Sequence, residues 1–143
     1  MPKVVVYTDG ACDPNPGRGG WGAILFLPEG EKVLSGGVNP STNNRMELTA
    51  AIQALRAVPY QAQITLYTDS QYLKRGIEEW LPVWQARNWR RKGGKLVNVD
   101  LWKQLVQEAK RHQVTWRWIR GHYGEPNNER VNKLAQKAIF QNS

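Results

Sequence analysis

The sequence predicts an α/β fold with a mixed five-stranded sheet, antiparallel at first and then parallel, flanked by helices. Two short apolar runs, within residues 4–10 and 64–70, each end in Thr-Asp followed by a small residue. A continuous apolar run bounded by turn residues is typical of a strand buried on both faces. Strands precede the first helix, and helices alternate with strands after it, which favours a meander followed by parallel crossovers.

Helices are predicted where apolar residues recur at helical spacing. Leu48, Ile52 and Leu55 stand at i, i+4 and i+7, and Pro59 ends that pattern. Segments rich in Gly, Pro and Asn, at 11–20 and 39–44, are predicted to be loops. In chain order we expect strands at 4–10, 21–27 and 32–38, a helix at 45–58 and a strand at 64–68. Helices should follow at 70–80 and 81–87, with a break at Pro82, and at 99–111, with Leu101, Leu105 and Val106 inward. The chain should end with a strand at 114–119, with Thr115, Arg117 and Arg120 on its polar side, and a last helix from about Asn127.

Composition indicates one globular domain over residues 1–143, with a nucleic acid as partner. Twenty basic and twelve acidic side chains leave a net charge of +8, which favours a polyanion, although a generically basic protein remains the alternative. Cys12 is the only cysteine, so no intrachain disulfide can form, which suits a reducing compartment. No signal peptide and no apolar run near eighteen residues is present, so we expect a cytoplasmic protein that does not span a membrane.

Three carboxylates are candidates for a metal site. Asp9 and Asp69 end the two buried strands, and open sheets bind ligands beside strand ends. Glu47 lies one position before Leu48; taken alone, it would more simply stabilise the start of its helix. Converging carboxylates repel one another unless a cation neutralises them, and Mg²⁺ or Mn²⁺ suits oxygen ligands. Two such ions can support phosphodiester hydrolysis.

A basic, tryptophan-rich segment at about 80–95 is predicted to project from the body. Basic side chains bind phosphates regardless of base sequence, while planar aromatic rings pack on sugars or bases. The alternative is a solvated loop that its tryptophans anchor to the core. The residues concerned are Trp80, Trp84, Arg87, Trp89, Arg90, Arg91, Lys92 and Lys95.

Five motifs, in this order along nearly the whole chain, resemble bacterial type 1 ribonuclease H. They are Tyr-Thr-Asp-Gly-Ala-Cys from Tyr7, Asn-Asn-Arg-Met-Glu-Leu from Asn43, Tyr-Thr-Asp-Ser-Gln-Tyr from Tyr67, Asn-Val-Asp-Leu-Trp from Asn98, and Gly-His-Tyr-Gly with Asn-Glu-Arg from Gly121. The resemblance implies a ribonuclease H-like fold and a monomeric endonuclease. Such an enzyme cuts the RNA strand of an RNA–DNA hybrid with two Mg²⁺ ions, leaving 5′-phosphate and 3′-hydroxyl ends.

The resemblance also implies roles for individual residues. Asp9, Glu47 and Asp69 match three of the family's four catalytic carboxylates, and His122 matches its mobile-loop histidine. The resemblance places Thr42 in a DNA-phosphate pocket and the tryptophan-rich segment in the family's substrate-binding handle. Without the resemblance, Asn43 and Asn44 would be predicted to cap a helix. The residues expected to line the minor groove of the hybrid are Cys12, Asn15, Asn43, Asn44 and Gln71.

One position departs from the family pattern. The last helix should contain Asn-Glu-Arg-x-Asp, but Asn132 stands where the fourth carboxylate belongs. Asparagine keeps an oxygen that can ligate a cation, but the site loses a negative charge. Our hypothesis is that this chain folds and binds hybrid yet hydrolyses RNA poorly or not at all. The asparagine is either engineered, which we favour because every other motif is in place, or the product of natural drift.

Other functions remain open at this point. The main rival is a non-catalytic module that binds RNA–DNA hybrid or double-stranded RNA. A transposase or Holliday-junction nuclease of the same fold is disfavoured by the asparagine-rich loops and the tryptophan-rich segment. A detached domain of a reverse transcriptase is a further alternative.

Overall fold

Five strands form a single mixed sheet in the computed structural model, which describes residues 1–90, 97–120 and 124–141. The elements are β1 (Lys3–Cys12), β2 (Gly17–Leu27), β3 (Gly30–Ser41), α1 (Asn43–Arg56), β4 (Gln63–Thr68), α2 (Gln71–Arg75), a π-helical turn (Gly76–Trp80), α3 (Leu81–Ala86), α4 (Val99–Ala109), β5 (Gln113–Trp118) and α5 (Pro126–Ile139). The strand order is β3-β2-β1-β4-β5, with β1, β2 and β3 antiparallel and β1, β4 and β5 parallel. The predicted fold class is therefore confirmed.

The main core lies between the sheet and α1. The predicted stripe of Leu48, Ile52 and Leu55 is fully buried. In α4 the inward face differs from the prediction, because Trp102 is completely buried whereas Leu101 is only half-buried. The indole lies over Gly76, where any Cβ would overlap the ring. No helix in the described ranges is long and apolar enough to cross a membrane.

The strands near the first turn are longer than expected. Residues 11–20 were predicted to form a loop, yet Cys12 pairs with Gly19 and only residues 13–16 connect β1 to β2. The turn is closed by the Asp13 amide, which donates to the Arg18 carbonyl at 2.8 Å. The predicted loop at 39–44 is also partly wrong, because β3 continues to Ser41. Glycine-rich segments read as loops in isolation, but here the neighbouring strands supply their hydrogen bonds.

The irregularity between α2 and α3 lies before Pro82 rather than at it. The Leu81 amide donates to the Gly76 carbonyl, five residues back, which defines the π-helical turn. Pro82 then occupies the first turn of α3, where the missing N–H costs little. On β5 the prediction is confirmed, because Thr115 and Arg117 are exposed.

Candidate active site

Asp9 and Asp69 lie side by side, just beyond the point where the parallel pairing of β1 with β4 ends. β1 and β4 are parallel neighbours with Tyr7 opposite Tyr67, so Asp9 and Asp69 each come two residues beyond the same pair. Asp9 is only 4% exposed and lies within β1 opposite Gly22 of β2, while Asp69 follows the last residue of β4. The parallel register therefore brings the two carboxylates together, as the sequence predicted.

Glu47 reaches the same point because α1 lies directly on β1. A Cβ at Gly10 would overlap the backbone of Met46 and Glu47, so only glycine permits this approach. One carboxylate oxygen from each of Asp9, Glu47 and Asp69 lies within 4.8 Å of the others. The first turn of α1 holds no acid, and Glu47 comes after it, so stabilisation of the helix dipole is not the better explanation.

Asn132 meets Asp9 from the other side of the sheet. Gly20 and Gly22 let α5 approach β2, because a Cβ at Gly20 would overlap the backbone of α5 and one at Gly22 would come within 2.7 Å of the Leu134 Cβ. The Asn132 amide then donates to Asp9 Oδ2 at 2.9 Å. Asn132 therefore lies beside the carboxylates, and its assignment to the family's fourth catalytic position stays a prediction.

A second amide from α5 was missed by the sequence analysis. Asn128, one turn before Asn132, is buried and donates to Asp69 Oδ2 at 3.5 Å. The i, i+4 spacing of the two asparagines is the signal that would have found it. Glu125, by contrast, caps α5 by accepting from the Asn127 amide at 3.2 Å.

The three carboxylates are held at a high electrostatic cost. Burial and the charge of Asp69 raise the pKa of Asp9 to about 7. Burial and the charges of Asp9 and Asp69 raise the pKa of Glu47 well above its usual value. Glu47 Oε1 is buried without a hydrogen-bond partner in the described part of the chain. A crowded set of carboxylate oxygens, one of them unpartnered, fits a hard divalent cation.

The expected nucleic-acid contacts converge only in part. A groove of about 720 Å³ beside Glu47 is lined by Cys12, Asn43, Asn44 and Gln71. Asn15 joins them indirectly, because its side chain accepts from the Asn43 amide at 3.1 Å. Thr42 caps α1 by accepting from the Arg45 amide at 3.2 Å. Asn43 and Asn44 are therefore not the caps, because they already lie in the first helical turn.

The tryptophans of the basic segment form one continuous cluster. Ring centroids are 5.9 Å apart between Trp80 and Trp84, and 6.3 Å between Trp84 and Trp89. Trp84 also meets the buried Trp102 edge-on at 6.0 Å, so these rings are anchored to the core. Arg87 and Arg90 are exposed beside them. Four other predicted site residues, Arg91, Lys92, Lys95 and His122, lie outside the described residues.

Comparison with known proteins agrees with this geometry. The family model described as RNase H matches residues 1–140. The chain belongs to the ribonuclease H family. Ribonuclease H of Cupriavidus pinatubonensis is 51% identical over 140 residues, covering 97% of each chain. Ribonuclease HI of Pseudomonas aeruginosa is 54% identical over 140 residues, covering 97% of this chain and 95% of the relative.

A solved structure supports the same assignment at the level of fold. The crystal structure of LC9-RNase H1, described as a type 1 RNase H with the type 2 active-site motif, matches with a TM-score of 0.87 and 34% identity. The match covers 97% of this chain and 72% of that one. The resemblance to bacterial type 1 ribonuclease H is thus confirmed, and the chain has a ribonuclease H enzyme scaffold.

Proposed function

We propose that this scaffold binds RNA–DNA hybrid and cleaves its RNA strand, and that Asn132 largely disables cleavage in this chain. The observation that carries the proposal is the cluster of Asp9, Glu47 and Asp69, whose oxygens lie within 4.8 Å beside an amide-lined groove. Ribonuclease H relatives that match over nearly the full chain support the substrate class. The products would carry 5′-phosphate and 3′-hydroxyl ends.

Asp9, Glu47 and Asp69 would hold the divalent ions, two Mg²⁺ in the proposal, with Mn²⁺ as a substitute. When bound, such ions lower the pKa of an attacking water and stabilise the leaving oxygen. The protein supplies the fixed carboxylates, and burial of Asp9 keeps bulk water from screening them. No side chain need act as nucleophile.

Asn132 weakens the site in two ways. It lacks the charge of a fourth carboxylate, and its amide N–H donates to Oδ2 of Asp9. That hydrogen bond takes one of the carboxylate's lone pairs and competes with a cation for it, so both effects lower metal affinity. Strongly reduced hydrolysis is the expected result.

The groove would distinguish the ribose of the RNA strand from the deoxyribose of the DNA strand. Cys12, Asn43, Asn44 and Gln71 line it, and Asn15 lies beside Asn43. Amide groups donate and accept, so they can bond a 2′-hydroxyl, the group that separates RNA from DNA. In the proposal Thr42 lies near a phosphate of the DNA strand.

The tryptophan cluster and its basic residues would form the handle for the rest of the duplex. Arg87 and Arg90 are exposed, and a net charge of +8 favours association with a polyanion. In the same proposal His122, Arg91, Lys92 and Lys95 contribute to substrate handling. We also propose that the protein works as a monomer in the cytoplasm, on family grounds alone.

Cleavage of a labelled RNA–DNA hybrid in Mg²⁺ tests the function. The chain as it stands should cut very slowly, and Asn132→Asp should cut at least about a hundredfold faster, as expected when charge in a metal site is restored. The double variant Asn132→Asp with Asp69→Asn is the matched control and should be inactive. Equal cleavage with and without Asn132→Asp would contradict the role assigned to Asn132.

A non-catalytic hybrid-binding module is the second candidate. The hydrogen bond from Asn132 to Asp9 favours it, because it stabilises the site without a metal. If neither form cuts but both bind hybrid in Ca²⁺, this candidate replaces the first. If neither the chain as it stands nor Asn132→Asp binds hybrid, both candidate functions fail.

A further inference from the structure

One face of α5 leads from the carboxylates into the groove. Asn132, Gln136 and Phe140 stand at i, i+4 and i+8 and form what we call the α5 row. Asn132 donates to Asp9, and Phe140 lines the 720 Å³ groove. Gln136 lines both that groove and a cavity of about 560 Å³ beside Asp69 and Asn132. Asn132 therefore lines the second space, Phe140 the first, and Gln136 both.

Phe140 is an apolar residue that is not packed into the core. Its side chain is 69% exposed, and it is the only exposed aromatic residue in the part of the chain that the structure describes. Every described tryptophan and tyrosine is at least half-buried, so the exposure of Phe140 is not the general pattern of this molecule. An exposed ring at the rim of a groove is a ready surface for a planar or apolar ligand.

The surroundings of the row suit a nucleic-acid strand. Lys133 and Lys137 follow Asn132 and Gln136 by one residue and are exposed, so positive charge runs beside the row. Asn43 and Asn44 line the same groove as Phe140. Lysines neutralise phosphates, while an aromatic ring packs on a sugar or base without regard to base sequence.

We propose that Phe140 packs against the RNA strand of the hybrid beyond the carboxylates. The proposal rests on the proposed function, because the strand at Asp9 is taken to be RNA. Phe140 is eight residues beyond Asn132, about 12 Å further along the helix direction at about 1.5 Å per residue.

Hybrid binding in Ca²⁺ tests the contact. Phe140→Ala should weaken binding of a labelled hybrid about fivefold or more, since removal of a base-stacking ring commonly costs at least that much. Phe140→Trp keeps a planar ring and should bind within about twofold of the unsubstituted chain. Val33→Ala is the matched control, because Val33 is an apolar residue, 45% exposed on β3, outside the groove lining, and it should change nothing.

A photo-crosslinking residue at position 140 identifies the strand. With the two strands labelled separately, crosslinks should form to the RNA strand, while the same residue at position 33 should give none. The inference is overturned if Phe140→Ala binds within about twofold of the unsubstituted chain, or if only the DNA strand is crosslinked. If the unsubstituted chain binds no hybrid, the proposed function itself fails. This result differs from hybrid binding that is unchanged by Phe140→Ala.

Discussion

The side-chain amide of Asn132 donates a 2.9 Å hydrogen bond to Oδ2 of Asp9. This bond joins α5 to β1 at one of the most buried polar groups of the molecule. A carboxylate at position 132 would instead face Asp9 with a like charge. The asparagine therefore stabilises the metal-free site.

Asn132→Asp should destabilise the metal-free protein. Loss of the donor and addition of a charge beside Asp9 should lower the free energy of unfolding by about 2 kcal/mol in EDTA. Saturating Mg²⁺ should recover that loss, because the ion binds the folded state. Urea unfolding at pH 7, in EDTA and in Mg²⁺, measures the loss of stability and its recovery. Gln107→Glu adds the same charge on the exposed surface of α4 and should be neutral; equal stability of Asn132→Asp and the parent in EDTA would contradict the prediction.

Metal-free stability should fall as the pH rises, through Asp9. In the unfolded chain this carboxyl titrates near its usual pKa of 3.8, whereas in the fold its pKa is about 7. Between these values the unfolded chain loses the proton while the folded chain keeps it, so the folded state loses stability until about pH 7. Asp9→Asn should therefore be more stable than the parent in EDTA at pH 7.5, by a few kcal/mol, with a smaller gap at pH 4.5. A gap that does not depend on pH would contradict this.

His112 should give the opposite pH dependence. Its Nδ1 accepts from the Ala62 amide at 3.2 Å, so the proton is on Nε2, which lies 3.2 Å from the Leu55 carbonyl. Burial lowers the pKa of His112 below 6.5. The neutral ring therefore stabilises the fold fully above about pH 6.5, and this contribution is lost as the pH falls below that value.

The measurement for His112 is the difference in unfolding free energy between the parent and a variant. His112→Gln should cost about 1–2 kcal/mol of unfolding free energy at pH 7.5, through the lost hydrogen bonds. At pH 5 the gap should be smaller, because the parent has lost stability there. The contributions of the other titrating groups to the unfolding free energy are the same in parent and variant, so they cancel in the difference. A gap that widens on acidification would show that the ring is charged in the fold.

Arg87 and Arg90 should contribute to hybrid binding through phosphates. Both side chains are exposed beside the tryptophan cluster. Replacing both with alanine should weaken binding in Ca²⁺ and reduce the slope of log K against log salt by about one to two. The double variant Lys3→Ala with Lys32→Ala, on β1 and β3 and also exposed, is the control with the same loss of two charges. An equal change in slope for this control would mean that total charge, not the handle, binds the duplex.

Much of the fold could be predicted because the relevant signals are local. Apolar runs ending in Thr-Asp indicated β1 and β4, and parallel strands place their ends together, so the meeting of Asp9 and Asp69 followed. Helical spacing gave the buried face of α1. The position of Asn132 beside Asp9 came from the family pattern, and the structure brings these residues together. The roles of these residues in catalysis stay predictions.

What could not be predicted depends on tertiary contacts. Gly17 and Gly19 are weak strand formers, and tertiary pairing extends β2 through them: Gly17 pairs with Ser41 of β3, and Gly19 pairs with Val38 of β3 and with Cys12 of β1. Trp102 rather than Leu101 fills the core because Gly76 leaves room for an indole. Thr42 rather than Asn43 caps α1, a difference of one residue that composition does not decide.

Three glycines at the candidate site let its elements approach closely. Gly10 sets the spacing of β1 from α1, while Gly20 and Gly22 set the spacing of β2 from α5. These approaches help to determine where Glu47 and Asn132 stand relative to Asp9. A single methyl group added at any of the three glycines would meet the facing helix and push apart the elements that carry these groups.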